Sequence, residues 1–127
     1  MEEFYNTKLK KFVTTKELLD DTFKEFWKEK IVAKADFMCC QTCGSSAIED
    51  YKENDSIGYV FYHKQDMEDL IKNGGTYMSF DSFDKEDSKK VGIIIRDHLK
   101  KYGLKVEWSG DSKHRIYAYQ NNHLEEE

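Results

Sequence analysis

Apolar residues recur along the chain in two rhythms, helical and alternating, and each predicts its own elements. From about Thr15 to Ala33 they fall at Leu19, Phe23, Phe26, Trp27 and Ile31, the spacing of one helix face, with Lys, Glu and Asp opposite. Thr14 stands before this stretch and Glu17 three positions later, the reciprocal cap of a helix start. A second long helix is predicted from about Asp84 to Tyr102, with Val91, Ile94, Ile95, His98, Leu99 and Tyr102 on one side. Acids lead it, Lys100 and Lys101 close it, and Gly103 follows as the stop residue. Two short helices complete the set. One opens at Gly44-Ser45-Ser46 and runs through Ala47, Ile48 and Tyr51 to a close at Asn54-Asp55-Ser56; the other follows Asp66 as its cap, carries Met67, Leu70 and Ile71, and ends at Asn73-Gly74-Gly75.

Between the helices lie runs of strand character. Ile57 to Tyr62 is β-branched and aromatic without polar alternation, which predicts a central strand covered on both faces. Phe37 to Cys40 reads as a short strand or buried extended stretch, and Thr76 to Phe80 as a strand. Leu104–Trp108 and Arg115–Tyr119 alternate on either side of the turn cluster Ser109-Gly110-Asp111-Ser112, a terminal β-hairpin. The element order and the closing antiparallel pair predict an α+β fold: a mixed sheet of about five strands with the long helices packed on it. One domain over residues 1–127 is expected, frayed over residues 1–12 and 121–127.

Eight Phe, eight Tyr and two Trp supply enough burial for a fold despite 35% charged residues. Twenty Lys and Arg against 25 Asp and Glu give a net charge of −5, the wrong sign for binding nucleic acid or an anionic membrane. No stretch approaches the about 18 apolar residues of a spanning helix, and the start MEEFYNTKLKKFV has no apolar leader core, so a cytoplasmic protein is expected. The three cysteines all lie within Cys39-Cys40-Gln41-Thr42-Cys43, an odd and local set that predicts free thiols.

That segment is also the densest source of chemistry. Cys40-x-x-Cys43 after a strand and at a helix start favours a thiolate, since amide dipoles there lower a thiol pKa. A thioredoxin-type site is disfavoured because the chain has no proline to supply the cis-proline loop. For zinc the pair is half a site; Cys39 and His63 would complete a set of Cys39, Cys40, Cys43 and His63. The plainer expectation is that the three cysteines are soft filler at a core edge beside Phe37 and Met38. The second cluster, Tyr62-His63-Lys64-Gln65-Asp66, offers imidazole, amide and carboxylate where a strand feeds a helix. Cys40, Cys43, His63 and Asp66 are thus the catalytic candidates, against the simpler reading in which Asp66 caps the helix and His63 is a satisfied strand-end residue. Gln65 and Trp108 are the binding candidates, Trp108 as a pocket-rim aromatic. Asp81, Asp84, Glu86 and Asp87 lack the spacing of a calcium loop and read as helix punctuation, and His98 reads as a hydrogen-bonded, half-buried residue.

Phe37 to Gly44, Gly58-Tyr59-Val60-Phe61-Tyr62-His63-Lys64-Gln65-Asp66, and Gly103 to Gly110 together resemble a family of uncharacterised, mainly bacterial proteins catalogued as a domain of unknown function. The resemblance covers roughly residues 15 to 119. It implies no assigned activity; it implies that the CCxxC segment, the His63-Lys64-Gln65-Asp66 segment and the Trp108-Ser109-Gly110 turn are family landmarks. With no complete catalytic motif present, the expectation is a binding module without catalysis and without a cofactor, taking a protein partner or small ligand and neither nucleic acid nor membrane. The alternative is a thiol-based or zinc-assisted enzyme, or a redox or metal sensor. There Cys40 is the thiolate, Cys43 its resolving residue or co-ligand, and His63 the base or ligand, oriented by Asp66 or Gln65.

Overall fold

Strand β1 (Glu3–Asn6) pairs antiparallel with β2 (Lys11–Thr14), so a hairpin stands where a frayed end is expected from sequence. The structure, a computed structural model, describes residues 1–84 and 87–120; the expected fraying of 121–127 lies outside those residues. Asn6 is the reason the hairpin is fixed. Its side-chain Nδ2 donates to the Gly103 carbonyl at 2.8 Å and to Gln120 Oε1 at 2.9 Å, while its Oδ1 accepts the amides of Lys8 and Leu9. Gln120 in turn donates to the Val13 carbonyl and to Thr15 Oγ1, so two buried amides tie the first strands to the last. Sequence reading had no way to see a bond that spans 114 positions.

Helix α1 (Thr15–Lys28) starts at the predicted cap, with Thr14 Oγ1 accepting from the Glu17 amide. It stops five residues before the expected end at Ala33. Lys30 takes a left-handed φ of 66°, and Ile31–Lys34 continue as strand β3, in which Ile31 and Ala33 face one side and Val32 the other. Apolar residues at 31 and 33 satisfy either period, and pairing with a neighbouring strand decides between them. Phe37–Cys40, expected as a strand, is irregular chain leading into α2 (Gln41–Ala47) and a 3-10 turn (Ile48–Tyr51). Then follow β4 (Gly58–Phe61), α3 (Lys64–Asn73), β5 (Gly75–Ser82), α4 (Ser88–Lys101), β6 (Lys105–Glu107) and β7 (Ile116–Tyr119).

The sheet runs β3-β4-β5-β7-β6, parallel only between β3 and β4, and β6 with β7 forms the terminal antiparallel pair. This is the α+β architecture read from the sequence. One face of the sheet presents Ile31, Val60, Tyr62, Met78, Phe80 and Ile116 to α1 and α4 and holds the main core. The other face has a smaller core in which Val32, Phe37, Ile48 and Phe61 meet under α2. Gly44 permits this: a Cβ there would lie 2.3 Å from the Phe61 ring, so the helix can sit this close only with glycine.

Replacing Asn6 with Ala is expected to lower stability by about 1–3 kcal/mol, the cost of leaving buried groups without partners. Urea unfolding should read this as a lower midpoint, and an unchanged midpoint would show that the hairpin is held by something else.

Candidate functional site

The cysteine segment is placed by its neighbour in space, the end of β4. Asp36 and Met38 adopt left-handed φ values of 50° and 63°, and between them Phe37 turns inward against Phe61 and Tyr51. The Phe37 amide donates to the Tyr62 carbonyl at 2.9 Å and the Lys64 amide to the Met38 carbonyl at 3.1 Å, so the chain tracks β4 beyond the end of β3. With Phe37 filling the core, the residues after it emerge at the surface. Cys39 is exposed and Cys40 and Cys43 are half-buried. The expectation of core filler is therefore wrong; Phe37 takes that role and the sulfurs face outward.

The three sulfurs converge. Cys39 Sγ lies 3.5 Å from Cys43 Sγ and 3.9 Å from Cys40 Sγ, and all three fall within 4.8 Å of one another, a group able to hold a metal ion. Cys40 occupies the position before the first turn of α2 without a side-chain bond of ordinary capping geometry. The Cys43 amide, the Cys43 and Cys39 thiols and the Thr42 amide nonetheless hold the Cys40 thiol below its ordinary range through their dipoles. Cys43 moves the other way, pushed up to about 11 by the sulfurs of Cys39 and Cys40.

His63 does not join them. It is the residue preceding α3, and its Nδ1 accepts the Asp66 amide at 3.3 Å while the Asp66 carboxylate accepts the His63 amide at 3.2 Å, a reciprocal capping box. Its Nε2 lies 3.2 Å from Asp66 Oδ2, so the ring rests against one residue. Asp66 thus serves as the third residue of the helix, where sequence analysis expects the cap itself. The same carboxylate oxygen receives the Arg115 guanidinium, whose Nη2 also donates to the Tyr77 carbonyl. Arg115 was not singled out in the sequence, because a contact across 49 positions leaves no local pattern. Gln65, exposed, lines a cavity of about 350 Å³ with His63, Asp66, Glu68, Asp69, Tyr77 and Arg115.

Trp108 packs edge-on to Phe80 and lies over Gly92 of α4, where a Cβ would stand 2.6 Å from the indole. Its Nε1 donates to the carbonyls of Asp111 and His114, which closes the β6–β7 loop. His98 is half-buried, with Nδ1 2.9 Å from the Ile94 carbonyl and Nε2 3.4 Å from Glu29, as its place on the helix suggests. In the acidic group, Asp81 sits on β5 and accepts from Ser88 and the Ser82 amide, Asp84 and Asp87 are exposed, and Glu86 lies outside the described residues. Among the described residues no helix is long and apolar enough to cross a membrane.

A mixed-sheet α+β domain bearing a surface cluster of three thiols and a His–Asp–Arg network built on a buried carboxylate is the class these observations define. The chain belongs to the family described as Domain of unknown function (DUF6891), whose model matches residues 8–122, and its cysteines fit the CCxxC landmark. No curated protein and no solved structure matches it.

The opposite shifts of two neighbouring thiols give an expected order of reactivity. In metal-free, reduced protein, iodoacetamide followed by mass spectrometry should label Cys40 at a lower pH than an ordinary cysteine, and Cys40 before Cys43. Labelling of Cys43 ahead of Cys40 would refute this electrostatic assignment.

Proposed function

We propose that this domain binds a soft divalent metal ion, zinc foremost, through the sulfurs of Cys39, Cys40 and Cys43, and that the fourth coordination position is open. The observation that carries this is spacing. Zinc–thiolate bonds are about 2.3 Å, so two sulfurs on a tetrahedral ion stand about 3.8 Å apart. The separations from Cys39, 3.5 and 3.9 Å, straddle that edge length.

Three protein ligands and an exposed fourth position describe a site whose last ligand comes from elsewhere: water, a small molecule or a side chain of a partner. Such a site serves a binding module that takes its last ligand from a partner, and it is equally the pattern of a zinc-assisted enzyme that holds a water there. His63, whose Nδ1 accepts the Asp66 amide, is not needed as a ligand. The Cys43 thiol, held high, must lose its proton on binding, so affinity falls as pH falls.

Protein purified without chelator should carry about one zinc per chain, and its cobalt-substituted form should show thiolate-to-metal charge-transfer absorption. Outer-shell partners alone are worth about 10–100-fold in metal affinity, so Cys40→Ser or Cys43→Ser should cost more than that, whereas His63→Asn, which keeps a helix-capping side chain, should stay within a few-fold. Absence of stoichiometric metal and of the charge-transfer band would end this reading; loss of metal in His63→Asn would restore the imidazole to the ligand set.

A further inference from the structure

Antiparallel pairing of β5 with β7 sets Ser79 across from Arg115, one step beyond the Met78–Ile116 pair. Ser79 is 4% exposed and its hydroxyl has no hydrogen-bond partner among the described residues. Arg115 commits Nη2 to Asp66 and to the Tyr77 carbonyl, yet its buried Nε has no partner among them either. A buried donor left unpaired costs about 1–3 kcal/mol, and native folds keep such groups chiefly where they serve a purpose beyond packing. Here two of them adjoin on one sheet face.

They border a cavity of about 200 Å³, walled by Gln41 and Ser45 of α2, Tyr59 of β4 and Lys113 of the β6–β7 loop. Every one of these side chains carries a donor. The formal charges of the lining are Lys113 and Arg115 against Asp81, whose Oδ1 already accepts from Ser88 and the Ser82 amide. The lining thus carries two cations against one carboxylate on a chain whose overall charge is −5, with Arg115 also paired to Asp66 outside it. Asp66 holds the guanidinium in place, which removes the entropic cost of ordering it when a ligand arrives.

We propose that this cavity binds a small molecule through an oxyanion group, carboxylate or phosphate, seated against Ser79 Oγ and Arg115 Nε with Lys113 alongside. Its volume is below the about 300 Å³ where drug-sized sites begin, which suits a compact ligand. The site uses none of the three sulfurs and stands independently of the metal.

The test is an NMR titration of ¹⁵N-labelled protein with sodium acetate and, separately, sodium phosphate, with sodium chloride at matched ionic strength as reference. The Arg115 Nε–H and Gln41 side-chain amide signals are expected to shift saturably with acetate, phosphate or both, and the responding salt identifies which oxyanion the site takes. Ser79→Ala should weaken that affinity by about three- to tenfold, the worth of one hydrogen bond. Because it removes an unpaired hydroxyl, the same variant should not lower the urea midpoint, so lost binding cannot be charged to lost folding. The proposal is overturned if neither salt gives a saturable shift, if chloride does the same, or if Ser79→Ala leaves the isotherm unchanged. Metal content is read in a separate experiment, so either idea can fail alone.

Discussion

On one oxygen, the Asp66 carboxylate receives the His63 amide and the Arg115 guanidinium, with His63 Nε2 3.2 Å away, while the residue as a whole is 4% exposed. A carboxylate removed from water stays charged only where donors replace its hydration, and a buried pair that loses one member costs about 3–5 kcal/mol. This one group fixes three things at once. It closes the capping box at the start of α3, it holds the His63 ring against itself, and it anchors the Arg115 side chain. Remove it, and the helix start, the imidazole and the cationic wall of the cavity would lose their common anchor.

The outward-facing sulfurs follow from a different constraint, the register between the chain after β3 and the end of β4. Two left-handed residues, Asp36 and Met38, cost about 1–3 kcal/mol each where a β-carbon is present. Burial of Phe37 against Phe61 and Tyr51 and two backbone bonds to the end of β4 offset that cost. Strained turns on either side of a buried aromatic leave the next residues no choice but the surface. The thiols are therefore presented by the packing of their neighbour, and their mutual distances are set before any ion arrives.

Much of the fold can be read from local pattern because its elements obey local rules. The α1 cap, the β4 run of apolar residues, the helix at Lys64–Asn73 and the C-terminal pair all carry their signals within a few residues. Elsewhere tertiary contacts outvote the pattern: Ile31 and Ala33 fit a helix stripe but pair with β4, and the left-handed Lys30 that separates them from α1 is not a Gly or Asn. The cysteine cluster was visible as spacing, while its exposure was not, since Phe-Met-Cys-Cys reads as apolar whichever side it faces. His63 escaped as a cap because the usual reciprocal box begins with Ser or Thr. Ser79 and Arg115 escaped altogether, because a pair of unsatisfied donors exists only once two strands are aligned.

Why the donor-lined cavity lies where it does is a matter of widths. A helix with its side chains is about 10–12 Å across, and neighbouring strands are about 4.8 Å apart, so a single helix shields about two strands. On the main face α1, α3 and α4 together cover the sheet; on the other face α2, seven residues long, sits over β3 and β4, the two strands that share its small core. Beyond that edge the same face has to tolerate water, and it carries Tyr77, half exposed, with Arg115 against its ring. The boundary between cover and open sheet is a step with a helix as its wall and strands as its floor. Gln41 and Ser45 project from the wall, Ser79 lies in the floor, and Arg115 enters from the far side, held by Asp66. A recess at this step is built into the ratio of helices to strands, and the residues lining it make it a place for an anion instead of an apolar group.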